Sequence, residues 1–434
     1  MGRQPRILTA GIVRKHAHCL PVLRLRWFTH IEAGAAAELV RHDAILELGG
    51  LRTLSAEAAA ELARSPSRLE LDGLRTLSAR TASMLSSYRG TCLGLGGLKA
   101  LPAEVAEALS RVGSKLRLEG VETLAADSAR HLGRHTGASL VLNGLRSVSA
   151  LVFHALCGHP GLLGLASLEA VPHESRNVLA RRTGGIGLGL RSVDPGLARC
   201  LARHGGDLIL PRATDIPDDS MDALADHRGG LHLGGLTHLS DAAARSLSRH
   251  TGCLSLDGVR VLSDAAVASL VAHAGPLGLA SLEVLDNPDL ARKLVRDLHG
   301  LPHESLPLGR LRSLAAQVAR VLAAFPGDLY LDGLTSLREP VARALAAHEG
   351  RLSLDGLAVL NDAVAPILLG HRGDLSLKGL AIVSDEAARE LCRFEGGNIW
   401  LDKNILSSLD YMTRELMLAT PRIRLRGLHS WERP

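Results

Sequence analysis

Aromatic side chains are nearly missing: four Phe, three Trp and three Tyr in 434 residues. A compact globular core draws much of its buried area from Phe and Tyr. The interior here has to come from Leu, Ala and Val, which suits a thin core repeated many times. Lysine is scarce as well. Only Lys15, Lys99, Lys115, Lys293, Lys378 and Lys403 stand among the 50 basic residues, and a net charge of +5 is too mild to define a nucleic-acid binder. No two of the cysteines Cys19, Cys92, Cys157, Cys200, Cys253 and Cys392 form a CxxC pair. The chain is too long for a small disulfide scaffold, so reduced thiols and a cytoplasmic setting are expected. No apolar run approaches the ~18 residues that would cross a bilayer. The basic start MGRQPRILTAGIVRKHAHCLP lacks an apolar stretch of signal-peptide length, and Arg6 stands where myristoylation requires Ser or Thr. GxSxG, HExxH, GxxxxGK[ST] and GxGxxG are all absent, which removes the best-marked hydrolase, zinc-protease and nucleotide sites. The sequence points away from an enzyme, and it calls for no cofactor.

What is present is a period. LELDGLRTL at 69–77, LYLDGLTSL at 329–337 and LSLDGLAVL at 352–360 are near copies. Numbering the first apolar residue of LxLxGL as position 0, it falls at Leu23, Leu46, Leu69, Leu93, Leu116, Leu140, Leu163, Ile186, Leu208, Leu231, Leu254, Leu277, Leu306, Leu329, Leu352, Leu375, Ile399 and Ile423. Those 18 copies step by 23 or 24 residues, except for 22 before Leu208 and 29 before Leu306. A fixed period in the twenties marks a solenoid.

Each letter of the unit has an expected role. LxL alternates with period two and predicts a short strand. The following Asp/Asn-Gly pairs, such as Asp72-Gly73, Asn143-Gly144 and Asp332-Gly333, are expected to turn the chain with positive φ. Serines at position 9 (Ser55, Ser78, Ser149, Ser240, Ser263 and Ser384) are expected to cap a helix. Ala and Leu three apart, as in Ala59 and Leu62, then give that helix one buried face. A glycine near position 21, as in Gly252 and Gly373, ends it. A lone unit cannot bury its leucines, whereas stacked units can.

The period and leucine spacing resemble the leucine-rich repeat superfamily, most closely its bacterial 23-residue variety. The resemblance implies an α/β leucine-rich-repeat-like solenoid, with a parallel sheet of short strands on one face and short helices on the other. It covers roughly residues 23 to 428, although the family's asparagine ladder is missing. The expected organisation is an N-terminal cap over 1–22, about 18 repeats over 23–428 and a C-terminal tail over 429–434. Irregular coils are expected near 210–222 and 286–305. LGLASLE at 163–169 and again at 277–283 suggests a block duplication. The resemblance also implies protein binding on the strand-lined face.

Several groups of residues compete as sites. Histidines recur near position 19 (His42, His135, His159, His227, His250, His273, His348 and His371). Stacking could make them a metal or pH-sensing ladder. Closing helix ends is the simpler role, with neighbouring helices about 10 Å apart and too distant for shared ligation. Asp215, Asp218, Asp219 and Asp222 lack calcium-loop spacing and read as an exposed turn. Arg52, Arg75, Lys99, Arg146, Arg260 and Arg312 form a stripe that could follow an anionic polymer, nucleic acid or polysaccharide. Glu122, Glu169 and Glu283 interrupt that stripe and no aromatic residues interleave, which disfavours nucleic acid. Positions −1, +1 and +3 of the strands face outward and are expected to carry recognition. Toward the C-terminus they hold Tyr330, Arg351, Asp374, Asn398, Trp400, Arg422 and Arg424, a composition of interface hot spots. The sequence thus points to a non-enzymatic scaffold with an unidentified protein partner, and it leaves the oligomeric state open.

Overall fold

The expected strand starts land beside their neighbours in parallel sheets, except that Leu277 ends one sheet and Leu306 begins another. The structure is a computed structural model, and it describes residues 6–16, 21–298 and 305–427. The chain divides into two compact units, Met1–Leu233 and Gly234–Pro434.

In the first unit, strands from Val22–Arg24 to Leu231–His232 lie side by side in chain order. Position 0 pairs with position 0 throughout, as in Leu46 with Leu69, Leu116 with Leu140 and Leu208 with Leu231. In the second unit Leu254 pairs with Leu277, and a six-stranded sheet aligns Leu306, Leu329, Leu352, Leu375, Ile399 and Ile423. Each coil adds one strand and one short helix, and successive helices pack on one another. The leucines at positions 0, 2 and 5 are buried, for example Leu69, Leu71 and Leu74. Each unit is a leucine-rich-repeat-like solenoid, α/β in class.

The serine caps form as expected. Ser55 Oγ accepts from Ala58 N–H at 3.1 Å and opens the helix Ala56–Leu62. Ser78, Ser149, Ser240, Ser263 and Ser384 repeat the bond.

The glycines after the strand act differently from the expectation. Among the described glycines only Gly427 has positive φ. At Gly73, Gly97, Gly120 and Gly144 a Cβ would instead collide with carbonyl oxygens of the preceding coil. The missing side chain is what allows coils to approach to strand spacing, roughly 4.8 Å. Position 3 also has a role beyond the turn. The side chains of Asp72, Asn143, Asp257, Asp332 and Asp355 accept from the backbone N–H one coil ahead, at Gly96 (2.7 Å), Ala166 (2.8 Å), Ala280 (3.0 Å), Asp355 (3.0 Å) and Lys378 (2.9 Å). A side-chain ladder therefore exists, built mainly of carboxylates and placed earlier in the unit than the asparagines of the common pattern.

The irregular segments are ordered by local means. In 210–222, Asp218 and Asp219 sit in the first turn of the helix Asp218–Leu224, where acidic residues suit the helix dipole. The insertion lengthens one helix to Pro288–Leu298, capped by Asn287 Oδ1, which accepts from Leu290 N–H at 3.0 Å. Near the start, Ile7–Leu8 pairs with His30–Ile31 and precedes the helix Ala10–His16, the back half of a coil.

Candidate functional site

The second unit aligns Tyr330, Ser353, Ser376, Trp400 and Arg424 in one row across its sheet. Tyr330 and Trp400 are three strand steps apart, roughly 14 Å, and both are half-buried. The serines between them are buried, and their hydroxyls donate to Asp332 and Asp355 at 2.6 Å each. Asp374 Oδ1 accepts from Asn398 N–H at 2.7 Å, and Arg424 Nε donates to Asn398 Oδ1 at 3.1 Å. Arg351 N–H donates to Asp328 Oδ1 at 3.3 Å. Arg422 reaches back to the carbonyls of Gly396 (2.9 Å) and Phe394 (3.4 Å). The structure thus brings all seven expected residues onto one strand face. It also gives position −1 a structural duty that corrects the expectation of a row free for recognition. Asp207, Asp328 and Asp374 bind the backbone of the next coil, so Asp374 and Asn398 hold strands together. Burial alone would raise the Asp374 carboxyl, but the Asn398 hydrogen bonds and the nearby Arg351 charge hold it below its usual value.

The strand face of the first unit is largely self-neutralised. Glu47 pairs with Arg24 (3.5 Å) and Arg26 (2.6 Å), Glu70 pairs with Arg68 and with Arg117 (3.3 Å), and Arg117 also holds Glu119 (2.6 Å). The position-6 stripe is exposed, and two of its members are ion-paired: Lys99 with Glu122 (2.5 Å) and Arg312 with Glu283 (3.3 Å).

The position-19 histidines sit where the helices end, as expected, and His204 and His348 cover the last helical carbonyls of the preceding coil, at Leu179 and Ala323; the spacing of about 10 Å is what the structure corrects. Apart from the half-buried His42 they are buried, and His204, shifted by the short coil, joins them. Their rings stack far closer than 10 Å: His135 and His159 at 5.3 Å, His204 and His227 at 6.0 Å, His250 and His273 at 5.8 Å, and His348 and His371 at 6.0 Å. The column lies inside the solenoid, where the chain turns from helix to strand. Tyr88, Val112, Phe325 and Phe394 occupy the same slot. That apolar company was the sequence signal for burial. Where the slot carries a cation, it bonds to the preceding coil. Arg182 donates to the carbonyls of Cys157 (2.9 Å), His159, Gly161 and Gly185 (3.2 Å). Lys293 donates to His273 O (2.8 Å) and Gly275 O (2.9 Å) and pairs with Asp297 (2.7 Å).

Among the described residues, no group of three or more His, Cys, Asp or Glu side chains could hold a metal ion. No described helix is long and apolar enough to cross a membrane. Cys92, Cys157, Cys200, Cys253 and Cys392 form no disulfide, and burial pushes Cys157 up to about 11. Cys19 lies outside the described residues.

No family model matches the chain, and no curated protein does. Solved structures similar to it include a leucine-rich-repeat protein of Leptospira interrogans. That chain is 16% identical over 98% of this chain and 100% of that one, with a TM-score of 0.36. An internalin of Listeria monocytogenes is 16% identical over 75% of this chain and 94% of its own, with a TM-score of 0.41. The leucine-rich-repeat-like architecture rests on the register, caps and buried leucines of this chain itself.

Proposed function

We propose that the chain is a non-enzymatic, cytoplasmic scaffold that binds a protein through its strand-lined face, with the contact centred on the C-terminal coils. The observation that supports this reading most is the single row holding Tyr330, Trp400 and Arg424, flanked by Arg351 and Arg422. Two aromatic groups on a sheet fixed by side-chain ladders present a pre-formed surface that loses little freedom on binding. Aromatic and arginine side chains are the residue types that dominate interface energies. The repeats over 23–428 serve as the frame between an N-terminal cap and a short tail.

The test is affinity capture from host lysate with the wild-type chain and a Tyr330→Ala/Trp400→Ala variant, washed at low and high salt with and without nuclease. The expected result is a discrete protein that resists salt and nuclease and is lost with the variant. Material released by salt or nuclease alone would refute this reading. It would favour an anionic polymer held along Arg52, Arg75 and Arg146.

A further inference from the structure

We propose that the buried column of the first unit is an acid-sensitive conformational switch: protonation of His135, His159 and His204 opens the coils that carry them, together with their part of the strand face. The geometry makes these rings poor places for a charge. All three side chains are almost fully buried. The Nδ1–H of His159 donates to His135 O at 2.8 Å, and the Nδ1–H of His204 donates to Leu179 O at 3.3 Å. These bonds fix the neutral tautomer. The second nitrogen, Nε2, is buried in both rings and makes no hydrogen bond.

Burial and the neighbouring cationic groups disfavour a further proton and outweigh the backbone carbonyls that would favour it. His135 faces His159 and the backbone of Val112 and Ser114. His159 faces His135, Arg182 and the backbone of Leu162. His204 faces His227, Arg182 and the backbone of Leu179 and Asp207. Arg182 is itself buried, and its guanidinium meets only carbonyl oxygens and the neutral thiol of Cys157, with no carboxylate among the described residues. Each proton taken up therefore adds a cation to a column that already holds one and offers no counter-charge. Burial, and then the neighbouring His159, depress His135 from 6.5 to about 4, and burial also lowers His159 and His204.

The sign follows from linkage. The opened chain holds these protons below about pH 6.5, whereas the closed column refuses them until well below that, so acid favours opening. The stability is intact above pH 6.5 and is lost as pH falls toward the folded values. The same coils supply Leu140, Leu163 and Ile186 to the sheet, so the column and the face open together.

The test is hydrogen exchange read by mass spectrometry over the coils 135–210, on the full chain, between pH 7.5 and pH 4.5, with rates corrected for intrinsic exchange. His135 alone should raise the opening constant roughly tenfold between pH 6 and pH 5, and His159 and His204 should steepen it further. His135→Phe/His159→Phe uses a side chain that already fills this slot at Phe325 and Phe394, and it should flatten that dependence while leaving protection at pH 7.5 unchanged. Ring-proton NMR of the wild type gives an independent answer. Reversible titration of the column histidines near their ordinary value with full protection retained would overturn the proposal. So would equal acid dependence in the double variant.

Discussion

Gly49 and Gly50 are adjacent, yet replacing them should move stability in opposite directions. A Cβ on Gly49 meets nothing within 4 Å, and neither residue has positive φ. Gly49→Ala therefore removes freedom from the unfolded chain at no folded-state cost, a gain of about 0.4–1 kcal/mol. A Cβ on Gly50 would press into the carbonyl oxygens of Arg26 and Phe28 on the preceding coil. Backbone cannot rotate away as a side chain can, so the coils must part, at a cost of about 1–3 kcal/mol. For a unit of this size 1 kcal/mol corresponds to roughly 2–4 °C. Gly49→Ala should thus melt roughly 1–4 °C above the wild type and Gly50→Ala roughly 2–12 °C below it. Circular dichroism melts would measure both, and amide exchange in the strand Ile45–Glu47 would locate the loss. Equal melting of the two variants would refute close coil approach as the reason for glycine at position 4. A turn requiring left-handed backbone would predict damage at both.

Other predictions follow from single contacts. Lys293→Met leaves Asp297 buried with only a long contact from Arg296 (3.4 Å) and should cost roughly 3–5 kcal/mol in urea unfolding, most of it recovered in Lys293→Met/Asp297→Leu. Ser263→Ala removes the acceptor for Ala266 N–H (3.0 Å) and should cost about 1 kcal/mol. Leu140→Ala empties a fully buried site and should cost about 2–5 kcal/mol in the same assay. Asp374 is held below its ordinary value in the fold, so its contribution is present above the carboxylate range and lost as pH falls through it. Asp374→Asn should flatten that acid limb of an unfolding titration.

The strand register was legible within each sheet, because leucines two apart define a face and their recurrence defines the pairing, as at Leu46, Leu69 and Leu93; the break between Leu277 and Leu306 was not. The caps were legible for a similar reason: Ser240 needs only the three residues after it. Contacts between coils were harder to read. Gly73 looks like a turn residue in one dimension, and only the coil stacked beneath it shows that a methyl group would not fit. His159 reads as a helix end, and the fold shows that the chain then passes over the ring into the next strand and buries it. Tyr88 at the equivalent position carried the signal for that burial. The face around Trp400 was legible as a row, whereas the binding of Asp374 to the next strand was not, since it depends on a backbone amide that has no letter of its own.

The position-3 ladder has a direction. The acceptor side chain belongs to the earlier coil and the main chain of the later coil donates, with side-chain donors added only at Ser353, Ser376 and Lys378. The recipients Gly96, Ala166, Ala280, Asp355 and Lys378 share no side-chain chemistry, because the main-chain bond asks for none. A coil can consequently be copied or excised behind any such carboxylate without a matching change in its new neighbour. A duplicated block such as the one marked by LGLASLE receives this bond through a main-chain amide, at Ala166 and again at Ala280, whatever side chain stands there.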